Sequence, residues 1–164
     1  VEHSGGLGAH VLMVTQGGYD LQRVRISGAR VADGTGGFGI VLRPTRATLD
    51  SRPTSQRLTE VTLVDNSAGG LVVAGQQAPT IQMLSVTGTD GCGLCYVEDA
   101  AGKASDVTIS NAAIGVRVDQ QAAPALTNLD STDAQVGLGL TGSGAVKVAD
   151  ARLSGGVTRS SSGQ

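Results

Sequence analysis

The chain has 164 residues, 25 of them glycine and 40% of them hydrophobic, with aromatics at only 2% and no tryptophan. That length and apolar content allow one domain with a true core, but the core must be aliphatic and the backbone must turn often. The net charge of −2 excludes the dense positive field of a nucleic-acid binder, and the sequence has no apolar run near the roughly 18 residues of a membrane span. The charge is uneven: residues 1–57 hold seven Arg against four acidic residues, a net of +3, and residues 58–164 hold five basic against ten acidic residues, a net of −5. The chain opens at Val1 without a signal peptide, and the expectation is a piece of a longer polypeptide.

Two apolar patterns recur in alternation. The first is Val24-x-Ile26, Val61-x-Leu63, Leu84-x-Val86, Val107-x-Ile109, Leu129-x-Ser131 and Ala151-x-Leu153. The second is Ile40-x-Leu42, Leu71-x-Val73, Leu94-x-Tyr96, Val116-x-Val118 and Leu138-x-Leu140, each led by a glycine. Alternation with period two marks strands. A unit of about 22 residues that cannot bury its apolar face alone must stack on its neighbours. The pattern therefore predicts an all-β fold, a right-handed parallel β-helix (solenoid) of about six coils with a period of about 22 residues. Residues 1–156 would form this domain and residues 157–164 a polar tail or linker.

In chain order, the first coil is expected to place His10 in the glycine slot, with Val11 and Met13 inward and Leu12 outward. Gly34, Gly36 and Gly37 make an expanded turn after Val24-x-Ile26. The next coil is widened by eight residues, and its segment 43–57 carries Arg43, Arg46, Arg52 and Arg57 against Asp50 alone. Guanidinium groups on a loop suit carboxylate or sulfate, so these four are the ligand-binding candidates and an acidic polysaccharide is the candidate partner. Gly28, Asp65 with Asn66, Gly88, Asn111, Asp133 and Gly155 follow the first pattern and are expected in tight or left-handed turns. Asn111 is expected to be buried and to bond neighbouring coils.

The outward row of the second pattern reads Leu12, Val41, Val72, Cys95, Arg117 and Gly139, with Val97 beside it. Four successive apolar outward positions point to an interface, with Leu12, Val41, Val72 and Val97 as its candidates; a segment of the parent chain or another protein would cover them. Cys92 and Cys95 form a C-x-x-C with no second pair, which argues against zinc. They are read first as two side chains filling small slots, Cys95 outward and Cys92 at the turn, with a disulfide left open. The expected metal and cofactor are none.

The Val-x-Ile-x-Asn turn of Val107–Asn111, with the glycine-led strands and the 22-residue period, resembles the right-handed β-helix repeats of the pectin-lyase-like superfamily over roughly residues 8–156. That resemblance implies a secreted or cell-surface setting. It also implies any of several roles, since the fold serves polysaccharide lyases, glycoside hydrolases, tailspikes and adhesins. Hydrolases of this kind carry an Asp-Asp pair, a His-Gly and an Arg-x-Lys on successive coils, and this sequence lacks them. Of the carboxylates, Asp90, Glu98, Asp99, Asp106 and Asp119 come nearest to a cluster, and Arg117 beside Asp119 reads as a surface pair. The leading expectation is a non-catalytic structural or binding module. The alternatives are a fragment of a polysaccharide lyase or hydrolase, and an adhesion or assembly module using the outward apolar row.

Overall fold

The computed structural model describes residues 12–14, 18–43 and 55–160. These form only strands and turns: β1 (Leu12–Val14), β2 (Tyr19–Ser27), β3 (Val31–Ala32), β4 (Thr35–Gly36), β5 (Phe38–Leu42), β6 (Gln56–Val64), β7 (Gly69–Ala74), β8 (Thr80–Val97), β9 (Lys103–Gln120), β10 (Ala125–Thr132), β11 (Val136–Gly142), β12 (Lys147–Leu153) and β13 (Val157–Ser160). All pair in parallel except β3 and β4, a small antiparallel hairpin at the expanded glycine turn. The chain is a right-handed parallel β-solenoid of about five turns with a period of about 23 residues. The amino-terminal coil expected around His10 and Val11 falls on residues 1–11, outside the described ones.

The repeat spacing is the register itself. Val61 pairs with Leu84, Leu84 with Val107, Val107 with Leu129 and Leu129 with Ala151. On the next side, Ile40, Leu71, Leu94, Val116 and Leu138 pair in succession. Each inward residue thus stacks on its counterpart about 4.8 Å away. Leu58, Leu63, Leu71, Ile81, Leu94 and Ile109 are all fully buried or nearly so in one aliphatic core.

Three corners per coil turn these strands into a closed path. Arg23, Glu60, Met83, Asp106, Asn128 and Asp150 form one ladder of left-handed residues, all with φ between 51° and 57°. Gly28, Asp65, Gly88, Asn111, Asp133 and Gly155, the expected turn positions, form the second, and Gly75, Glu98, Gln120 and Gly142 the third. A left-handed non-glycine residue costs about 1–2 kcal/mol, and each is held because the strands on either side are paired to the coils above and below.

The glycine that leads each second-pattern strand answers a close approach. A Cβ on Gly93 would stand 2.6 Å from Cγ2 of Ile109, and one on Gly115 would stand 2.6 Å from the carbonyl oxygen of Gly137. The side facing inward at this corner has room for no side chain. The residue just before it, at Phe38, Gly69, Cys92 and Ile114, accordingly faces out.

Three sequence expectations are corrected. Leu12 pairs with Ile40 and faces the core, while Met13 pairs with Val41 and is 51% exposed. The amino-terminal strand is thus shifted by one residue, which exchanges the two faces of a strand. Asn111 is exposed at its corner. The buried asparagine is Asn66, whose Oδ1 accepts from the Ala29 N–H at 3.0 Å. The sheet also continues past residue 156, because Val157–Ser160 pairs with β11 as strand β13. Backbone pairing recruits this segment even though its side chains remain exposed.

Candidate functional site

The outward face of β5, β7, β8, β9 and β11 carries the most varied chemistry. Its central row, read from the register, is Met13, Val41, Val72, Cys95, Arg117, Gly139 and Thr158. Beside it Ala74 pairs with Val97, and Asp119 with Thr141. On the other flank stand Phe38, Gly69, Cys92 and Ile114. A Cβ on Gly69 would meet the Phe38 ring at 2.5 Å, so the ring lies across that glycine.

Between these rows is a groove of about 260 Å³, lined by Phe38, Val41, Arg43, Val72, Ala74, Cys92, Cys95, Val97, Arg117 and Asp119. Its floor is aliphatic and its rim charged. Arg43, 57% exposed at its side chain, contacts Glu98. The Arg117 guanidinium, 49% exposed, lies 2.7 Å from Oδ2 of Asp119. Asp119 itself is buried, and its Oδ1 has no hydrogen-bond partner. Each arginine commits one terminal nitrogen to its carboxylate, which leaves N–H donors over the groove.

Cys92 and Cys95 are joined as a disulfide, so the reading of two separate small side chains is replaced. The alternation of the strand had hidden this. Cys92 faces out because the parity of side chains changes at the intervening Gly93, and that brings both sulfurs to the outer face.

Of the four loop arginines, Arg43 and Arg57 are among the described residues, and these two lie on different sides of the coil. Arg46 and Arg52 lie outside the described residues. Arg57 sits on β6, its Cα partnered with those of Asp20 and Thr80, on a different side of the coil. Of the two described loop arginines, Arg43 reaches the groove, where it meets the row containing Val41 and Val72. Arg117 and Asp119 are the groove residues that the sequence reading had set aside as a surface pair. The signal was the shared register: Arg117 stands two strands from Val72, on the same face.

The apolar row is also less open than expected. Val41 is 6% exposed, while Val72 and Val97 are half-buried. The opposite outward row of Arg25, Thr62, Ser85, Thr108, Asp130 and Arg152 keeps the register predicted for it and is polar throughout.

No family model, curated protein or solved structure matches this chain. What its own geometry establishes is a parallel β-solenoid with a charged, apolar-floored groove along one side. Among the described residues no group of three or more His, Cys, Asp or Glu is placed to hold a metal ion. Of the carboxylates singled out in the sequence, Asp106 bonds Asn128 at 2.6 Å on another corner, and Glu98 and Asp119 are each engaged by an arginine. The described residues include no helix long and apolar enough to cross a membrane.

Proposed function

We propose that this chain is a binding module of a larger secreted or cell-surface protein and that its lateral groove contacts an acidic polysaccharide. The observation that carries this reading is the placement of Arg43 and Arg117 around one aliphatic floor. A uronate or sulfated sugar offers a carboxylate or sulfate to guanidinium donors and an apolar ring face for Val72 and Val97. The resemblance to the pectin-lyase-like superfamily supports the same ligand class.

Enzymatic cleavage is the weaker reading. Glycosidase chemistry needs two carboxylates facing one sugar, about 5–10 Å apart, whereas among the described residues Asp119 is the one carboxylate that lines the groove. Native electrophoresis through gels containing pectate, alginate or a sulfated glycan tests the proposal. Retardation without polymer loss is expected, and it should be lost in the R43Q/R117Q double variant. Free migration in every glycan would refute the ligand, and cleared polymer would refute the absence of catalysis.

A further inference from the structure

We infer that the Cys92–Cys95 disulfide is a thiol-exchange site that opens onto the groove. Most structural disulfides tie together distant parts of a chain. This one closes a separation of only three residues, within a strand already paired on both sides. Cys92 is partnered with Gly69 and Ile114, and Cys95 with Val72 and Arg117. Loop-closure stabilisation falls as the closed loop shortens, so the fold gains little from the bond.

Its surroundings fit chemistry better than bracing. Both half-cystines line the groove, with Phe38, Val72 and Val97 beside them to receive the apolar part of a thiol. Of the two, Cys92 is the more accessible at 7% against 2% for Cys95. Cys95 stands next to Arg117 on the adjacent strand and on the same face. A neighbouring guanidinium favours thiolate over thiol, and a better-stabilised thiolate leaves faster.

The step follows from this asymmetry. The thiolate of a small thiol attacks the sulfur of Cys92, forming a mixed disulfide as the Cys92–Cys95 bond breaks. Cys95 departs as a thiolate facing Arg117. A second molecule of the thiol then attacks the mixed disulfide at the small thiol's sulfur. It releases Cys92 as a thiolate and leaves the oxidised small-molecule disulfide. Two thiols are oxidised and one protein disulfide is reduced, and the reverse direction oxidises the dithiol at the expense of a small disulfide.

The test uses the intact chain in glutathione redox buffers under native conditions. New thiols are counted by alkylation and mass spectrometry, while circular dichroism follows the fold. Two free thiols per chain with an unchanged β-sheet spectrum are expected, with a glutathione adduct trapped at Cys92 in C95S. The R117Q variant should be reduced several-fold more slowly at the same spectrum. Thiols that appear only as the sheet signal collapses would overturn the inference, and so would an R117Q rate equal to that of the unsubstituted chain. Neither outcome bears on glycan retention, so this inference and the proposed ligand fail separately.

Discussion

Arg117 holds one oxygen of Asp119 at 2.7 Å while the other, Oδ1, is buried without a partner. The pair is therefore lopsided: the guanidinium is half in water and the carboxylate is not. Exposed ion pairs contribute about 0–1 kcal/mol, but removing the cation strands a buried carboxylate, which costs more. R117A should lower stability more than D119N does, as read by urea unfolding midpoints. Equal losses would show that Asp119 is solvated in solution.

Gly93 and Gly115 test the close approach between coils. G93A must push its methyl group into Ile109 and the carbonyl of Gly115. Overpacking of this kind costs about 1–3 kcal/mol. Gly139 is the control, because the nearest atom to a Cβ there lies 3.6 Å away; G139A should change the melting temperature little. Similar losses at both positions would refute the steric account.

Tyr96 is fully buried and its hydroxyl has no hydrogen-bond partner. Burial pushes its ionisation well above the usual tyrosine value, and the nearby Tyr19 adds to the shift. The neutral form is thus favoured in the folded state. Stability should be unaffected by these groups below the unfolded tyrosine value of about 10 and fall as pH rises beyond it. Y96F removes an unpaired buried hydroxyl, so it should be neutral or stabilising by about 1 kcal/mol and should flatten the alkaline fall. Thermal melts across the alkaline range of both proteins decide this.

Val41 and Val72 separate folding from association. Val41 is 6% exposed, so V41D should destabilise the solenoid whatever its oligomeric state. Val72 is half-buried on the groove floor, and V72D is the cleaner probe of assembly through this face. If V72D stays folded and sedimentation shows the same mass at all concentrations for both V72D and the unsubstituted chain, the apolar row is not a self-association surface.

Removing the disulfide altogether, as C92A/C95A, should cost no more than about 2 kcal/mol from loop closure over so short a separation. A larger drop in the denaturation midpoint would show that the bond braces the strand and would weaken its reading as an exchange site.

The periodic sequence alone determined the architecture. Alternation told strand from helix, the 22- to 23-residue step became the register, and the Gly, Asp and Asn after each first-pattern strand took left-handed backbone as their chemistry allows. These features are local or repeated, so one chain suffices to read them. The first corner was not legible, since Arg23, Glu60 and Met83 carry no turn signal and are held left-handed only by paired neighbours. The one-residue shift that turns Leu12 inward was equally hidden, because a three-residue strand offers too little alternation to set its own face. The groove belongs to the tertiary structure entirely. Stacking brings Arg43, Cys95 and Arg117 from three separate coils onto one surface, and the change of side-chain parity at Gly93 turns Cys92 out to meet Cys95. Sequence spacing records the period of a solenoid, but only closure of its corners decides which side chains share a face.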